Sequence, residues 1–223
     1  VGPSAVFNVV KRLMEIENID LNCSTNDCTL LIYACNVNHK DLAKMLIESN
    51  KVDVNLYESK NGNTPLMVAI EKQNEEAAEL LINFPQTNIN KVNYNKETAL
   101  TIAVSKQNSR IISLLLKSPK FNRIESRLDY AFYISSGEEV INLLYSIDGL
   151  DVNYKQMIYK SSLIYAVEKK DITKIQMIVN HKTFNRNKSL VTTALFEATK
   201  TNDVSIFREI LPLVDNDVNI MLV

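Results

Sequence analysis

Four residues in one short stretch could hold a metal ion. Cys23, Cys28, Cys35 and His39 lie within 17 positions, and each is a possible zinc ligand. The gaps between them are four, six and three residues, unlike the close cysteine pairs that place two sulfurs on one ion. Two carboxylate pairs, Glu75-Glu76 and Glu138-Glu139, could exchange protons. Both pairs stand where helices are expected to begin, and negative charge there complements the helix dipole. His181 follows the apolar Ile178 and Val179 and reads as a cation or loop residue closing a helix. The chain has two histidines and only four glycines, and no glycine-rich loop to cradle a phosphate. No nucleophile stands beside a positioned base, so the chain is read as no enzyme, with no catalytic residue, no metal site and no cofactor.

The elements around these residues recur. In residues 62–90, Thr64 can cap a helix, Pro65 suits its first turn, and Leu66, Ala69 and Ile70 form an apolar stripe. Gln73-Asn74 interrupts that stripe before a second one, Ala77, Ala78, Leu80, Leu81 and Ile82, which ends at Phe84-Pro85. The pattern predicts two antiparallel helices. Helix-opening heptads start at Thr29, Thr64, Thr98, Ser126, Ser161 and Thr193, spaced by 35, 34, 28, 35 and 32 residues. A closing marker, an apolar residue followed by Asn, recurs at Asn22, Asn55, Asn90, Asn122, Asn153, Asn185 and Asn219. Those spacings are 33, 35, 32, 31, 32 and 34 residues.

A helix pair at this period, opened by T-P-L with an Ala in the sixth place and closed by D-V-N, resembles the ankyrin repeat family. The T-P-L-H-x-A motif stands as Thr64-Pro65-Leu66-Met67-Val68-Ala69, and the loop Gly-His as Asn38-His39. D-V-N is intact at Asp53 to Asn55, Asp151 to Asn153 and Asp217 to Asn219. The motif His is replaced by Ile32, Met67, Thr101, Asp129, Ile164 and Phe196. The interhelix Gly is replaced by Asn38, Gln73, Gln107, Lys170 and Asn202, and only Asn tolerates the left-handed region with ease. The resemblance implies an all-α solenoid of stacked helix pairs with projecting β-hairpin or loop fingers. It also places His39 at the family's loop His, and the alignment puts Cys35 at a buried apolar position.

The repeat register extends over the whole of the 223 residues and predicts a single array. A half repeat at 1–22 precedes repeats at 23–55, 56–90, 91–122, 123–153, 154–185 and 186–223. In the fourth, only Arg123, Ile124 and Glu125 separate Asn122 from Ser126, too few for a finger, and one extra residue falls near Ser135-Ser136-Gly137. Repeats five and six are expected to regain the register, and the chain closes on Ile220-Met221-Leu222-Val223. With 25 basic and 26 acidic residues, no blanket attraction to nucleic acid is expected. The apolar runs are far shorter than a membrane span, so no membrane insertion is expected. An odd three cysteines suit a reducing compartment, and the chain is read as monomeric, intracellular and cytoplasmic.

For such a chain the resemblance implies a non-catalytic module that binds a partner protein through its fingertips and first helices. The candidate contacts are Lys60, Asn61, Asn63, Tyr94, Asn95 and Glu97 on fingers two and three, and Lys106 at the end of a first helix. Further along they are Tyr133 and Ile134 on the fourth first helix, Met157, Ile158 and Lys160 on the fifth finger, and Lys169. Met157, Ile158, Tyr159 and Tyr94 are the informative ones, because solubility favours polar residues on such loops. The missing fourth finger predicts a groove floored by Tyr133 and Ile134, with Tyr94 and Lys106 as one wall and Met157, Ile158 and Lys169 as the other. The competing reading is a regulatory or targeting segment of a longer protein.

Overall fold

The computed structural model describes residues 3–16, 19–25 and 28–214. The expected marker Asn219, its Asp217, and the tail from Ile220 to Val223 lie outside the described residues. The chain divides into two compact units, Val1–Ser126 and Arg127–Val223. The boundary falls at the three-residue junction that the spacing of Asn122 and Ser126 singles out.

In the first unit, helix α1 (Pro3–Leu13) leads to the short strands β1 (Ser24–Thr25) and β2 (Cys28–Thr29). The strands pair antiparallel, Ser24 opposite Thr29 and Thr25 opposite Cys28. Three helix pairs follow. They are α2 (Leu30–Asn36) with α3 (Lys40–Glu48), α4 (Pro65–Glu71) with α5 (Glu75–Asn83), and α6 (Ala99–Ser105) with α7 (Ser109–Lys117). First helices stack on first helices and second on second, giving two layers. Because α4 lies between α2 and α6 and against α5, its residues Pro65 to Ile70 are all buried.

The local chemistry explains each boundary. The hydroxyls of Thr29, Thr64 and Thr98 accept the amides of Ile32, Met67 and Thr101 at 3.3, 3.4 and 3.3 Å. Thr101 returns the favour to the Thr98 N–H at 2.8 Å, completing a reciprocal cap. His39, Asn74 and Asn108 cap the second helices in the same way. Between the helices, Asn38, Gln73 and Gln107 are all left-handed, with φ of 54°, 58° and 56°. That conformation lets the next amide reach back to the recurring Ala, as in Asn74 N–H to the Ala69 carbonyl at 2.8 Å. The turn demands the conformation even where Gln supplies it at a cost.

Three of the closing Asn residues, Asn55, Asn90 and Asn153, prove to be bridges. Asn55 donates to the Gln86 carbonyl at 2.8 Å and accepts the Asn88 N–H at 2.7 Å. Asn90 makes the same two bonds to Lys120 and Asn122, at 2.7 and 3.0 Å. One carboxamide thus satisfies a carbonyl and an amide of the following repeat, backbone groups that otherwise have no ladder partner.

The second unit contains α8 (Leu128–Ile134), α9 (Glu138–Tyr145), β3 (Lys155–Met157), β4 (Lys160–Ser161), α10 (Ser162–Glu168) and α11 (Ile172–Val179). It continues with α12 (Arg186–Ser189), α13 (Val191–Thr201), α14 (Val204–Ile210) and a 3-10 turn, Leu211–Leu213. Helices α8, α10 and α13 form one layer and α9, α11 and α14 the other. Asn153 repeats the bridge, donating to Thr183 at 2.6 Å and accepting from Asn185 at 2.8 Å.

Two expectations need correction here. Repeat six does not open at Thr193: α13 begins at Val191, after a left-handed Leu190, just as α8 begins after the left-handed Arg127. Ser189 is therefore the counterpart of Ser126. In each case the serine carbonyl accepts a hydroxyl from the preceding helix-opening residue, Ser161 to Ser189 at 2.6 Å and Thr98 to Ser126 at 2.9 Å. The sixth junction is thus a short one too, with the single turn α12 in place of a finger. Among the described residues, strands occur only at Ser24–Thr25, Cys28–Thr29, Lys155–Met157 and Lys160–Ser161, and fingers two and three are hydrogen-bonded turns such as Glu58 N–H to the Asn63 carbonyl.

The extra residue in repeat four has a visible consequence. Ser135 is extended and Gly137 has φ +78°, so α8 ends without the back-bond to its Ala that α2, α4, α6 and α10 receive. The carbonyls gathered there are those of Phe132, Tyr133 and Ser135, and of these Phe132 also accepts the Ser135 N–H and hydroxyl at 3.2 and 2.7 Å. The Nζ of Lys174 meets them, donating at 2.6, 3.0 and 2.6 Å, with the Ser135 hydroxyl at 3.2 Å. Lys174 stands on α11 at the register where α3, α5 and α7 carry the buried Leu42, Ala77 and Ile111.

Candidate functional site

The four potential zinc ligands are separated by their environments. Cys23 is exposed, Cys28 half-buried and Cys35 fully buried. Burial, with a smaller push from Cys28, raises the Cys35 thiol to about 12, and burial together with Glu58 raises Cys28. Neither is a ready thiolate. His39 uses Nδ1 to accept the Leu42 N–H at 3.3 Å and stacks on Phe7. Among the described residues no three His, Cys, Asp or Glu side chains converge on a metal position. Glu75 and Glu76 join neighbouring second helices: Glu75 accepts from Asn108 at 2.8 Å and Glu76 pairs with Lys40 at 3.5 Å. His181 closes a turn, its Nδ1 accepting the Thr183 N–H at 3.1 Å, and burial followed by Lys182 lowers its pKa.

In the first unit the candidate contacts converge. Asn93 donates to Asn63 at 2.7 Å and to Glu97 at 3.0 Å, while the Tyr94 N–H donates to the Asn61 carbonyl at 2.9 Å. Adjacent fingers are thereby fastened together. A depression of about 200 Å3 is bordered by Asn61, Asn63, Asn95, Glu97 and Lys106, with Glu71 and Ser105. Asn63 itself is buried, bonded to Asn93 and at 3.4 Å to Glu71, and so supports this rim from below. Lys60, Tyr94, Asn95 and Lys106 are exposed. The Tyr94 ring lies against Gly62, whose φ of +71° favours a residue without Cβ, and edge-on to Tyr57 at 6.1 Å.

In the second unit the aromatic residues form a cluster that single-position reading missed. Tyr133 is only 2% exposed, its ring 4.7 Å from Tyr165, 5.8 Å from Tyr154 and 6.1 Å from Tyr130. Burial first, and Glu168 second, push its phenol up to about 12. As a direct contact Tyr133 is therefore out of reach, and Tyr165 and Tyr154 present the half-buried surface instead. Ile134 is half-buried. Met157, Ile158 and Tyr159 are 65%, 77% and 73% exposed at the tip of the β3–β4 hairpin. Lys160 pairs with Glu168 at 3.2 Å, and the Lys169 ammonium lies 5.6 Å above the Tyr165 ring. A depression of about 660 Å3 opens among Ser136, Tyr165, Lys169, Lys170 and Thr173.

Of the expected groove, Tyr94 and Lys106 belong to the first unit, and Tyr133, Ile134, Met157, Ile158 and Lys169 to the second. The buried Lys174 was not anticipated, although a lysine in an otherwise apolar second-helix stripe was the available signal. Among the described residues no helix is long and apolar enough to cross a membrane.

Stacked helix pairs, left-handed interhelix turns and side-chain bridges one repeat long define a repeat scaffold. A family model described as ankyrin repeats (3 copies) matches residues 4–93 and 50–127, more than half of the chain, and the protein belongs to the ankyrin repeat family. It is similar to the crystal structure of the ankyrin repeat domain of Bcl-3, a member of the IkappaB protein family, at a TM-score of 0.68 and 20% identity. That match covers 85% of this chain and 87% of the other. EF0377, an ankyrin repeat protein, matches at 0.65 and 17% identity, over 85% and 98%. So does a chain from the structure of the predatory endopeptidase Bd0816 of Bdellovibrio bacteriovorus in complex with immunity protein Bd3460, at 0.64 and 18%, over 82% and 97%. At these identities the likeness is one of fold. No curated protein matches the sequence.

Proposed function

We propose that this chain is a non-catalytic protein-interaction module that binds a partner protein through fingertips and first-helix faces. Ankyrin repeats generally serve protein interaction. The observation that carries the reading here is the hairpin tip: three consecutive apolar side chains, Met157, Ile158 and Tyr159, stand in solvent on an ordered hairpin. Exposed apolar and aromatic residues ringed by polar ones are the composition of an interface centre. The proposed contacts in the second unit are Ile134, Met157, Ile158, Lys160 and Lys169. In the first they are Lys60, Asn61, Tyr94, Asn95, Glu97 and Lys106, with Asn63 and Tyr133 as supports. The repeats proposed follow one another at 23–55, 56–90, 91–122, 123–153, 154–185 and 186–223, after the half repeat at 1–22, in an intracellular, monomeric protein. A regulatory or targeting segment of a larger protein would use the same surface.

A photo-reactive side chain placed at Ile158 should capture one protein from the native host, and the same group at Lys51 should not. Met157→Ser with Ile158→Ser should then weaken that partner by about 2 kcal/mol or more without changing the thermal melt. Capture at position 51 alone, with affinity indifferent to the paired Ser change, would refute the assignment of the face.

A further inference from the structure

The chain as a whole carries a net charge of −1, yet in the second unit the two signs are unevenly distributed. The β3–β4 hairpin, the C-terminal end of α10 and the turn α12 bear Lys155, Lys160, Lys169, Lys170, Arg186 and Lys188, all exposed. Two carboxylates at the end of α10 are already engaged. Glu168 is paired with Lys160 at 3.2 Å, and Asp171 accepts the Lys174 backbone N–H at 3.0 Å to cap α11. The second-helix side leans the other way, with Glu138, Glu139, Glu209 and the following-turn Asp148 against Arg208 and the Asp148 partner Lys182. Cations gathered beside the exposed apolar tip Met157 to Tyr159 make a surface complementary to an acidic chain with a hydrophobic side chain to bury.

Building on the reading of this face as a partner-binding surface, we infer that the second unit recognises an acidic peptide segment carrying one bulky apolar residue. The apolar residue packs on Met157 and Ile158. The flanking carboxylates meet Lys155, Lys169, Lys170 and Lys188. A protein segment suits this surface better than nucleic acid does. Met157 and Ile158 offer no stacking platform for a base, and the net charge supplies no general attraction to a polyanion.

The experiment selects phage-displayed random dodecapeptides against the whole protein and measures the affinity of the enriched peptides by fluorescence anisotropy. The expected peptides are rich in Asp and Glu around one large apolar residue. Lys155→Glu with Lys188→Glu should weaken them at least about tenfold, as should 0.5 M salt. Both lysines are solvent-exposed, and a melting curve equal to the parent's keeps that comparison fair. Neutral or basic peptides, no enrichment, or indifference to the charge reversal would overturn the inference. So would a single-stranded DNA 12-mer that binds more tightly than the peptides and depends on the same lysines. Peptides that are not acidic but are lost with Ile158→Ser would sink the acidic preference and leave the partner-binding reading standing. Peptides indifferent to both changes would sink both.

Discussion

Replacing Lys174 with Met tests whether the inserted residue in repeat four is compensated by a side chain from the next repeat. The methionine keeps the unbranched stem and removes the donor. Three carbonyls at the end of α8 would then face one another with no shared proton, at a site where Lys174 is only 1% exposed. A buried acceptor left unpaired costs roughly 1 to 3 kcal/mol. One of the three, Phe132, still accepts the Ser135 N–H at 3.2 Å, which leaves two fully orphaned and a loss of about 3 to 5 kcal/mol. Urea unfolding followed by circular dichroism measures the loss, and hydrogen exchange should place it at residues 128–146. The control Lys182→Ala, which breaks a fully exposed pair with Asp148, should leave the curve unchanged. A Lys174→Met protein as stable as the parent would refute the argument and show that the α8 carbonyls are satisfied by solvent. Acidity gives a second reading. Burial lowers the Lys174 pKa to about 7 from 10.5, with Asp171 opposing. Between those values the unfolded chain binds more protons than the folded one, so stability rises with pH across that window. The advantage of the parent over Lys174→Met should accordingly be larger at pH 9 than at pH 6.5. A difference that does not change with pH would mean that the carbonyls hold the amine as an ammonium in the fold.

Three further outcomes are expected. Gly62→Ala puts a Cβ 2.9 Å from Tyr94 at φ +71° and should cost about 1 to 2 kcal/mol in denaturant unfolding, partly recovered when Tyr94→Ala is added. Gln73→Gly and Gln107→Gly relieve left-handed residues in turns that are already formed, so each should raise stability by about 1 kcal/mol; a loss would mean those side chains contribute more than their strain. Asn90→Ala removes the bonds to Lys120 and Asn122 and should cost about 2 to 3 kcal/mol, whereas Asn95→Ala, on an exposed fingertip, should melt with the parent.

The helix starts at Thr29, Thr64, Thr98 and Ser161 could be read from sequence because a hydroxyl one residue ahead of an apolar stripe has one obvious use, and each caps as expected. Thr193 misled because α13 is entered through a left-handed Leu190, a backbone solution that leaves no hydroxyl signature. The shared spacing Asn122 to Ser126 and Asn185 to Ser189 was the better guide, and it marks both short junctions. The Asn markers were visible as a period, but their bidentate role depends on a backbone about 30 residues away. Exposure at Met157 and Ile158 follows from their place on a hairpin. Burial at Tyr133 does not, since Tyr154 and Tyr165 come from other segments to cover it. The uneven charge in the second unit was hidden for the same reason: a balanced total says nothing about which side holds more of which sign.

The carboxamide bridges bear on how the protein is made. Those of Asn55, Asn90 and Asn153 each reach 30 to 33 residues along the chain, and even the Lys174 bond to Phe132 spans only 42. A nascent chain leaving the ribosome can therefore close each bridge as soon as one more repeat has emerged, without waiting for a distant segment. Each unit can be assembled in the order in which it is synthesised, with every new helix pair docking on a template already formed.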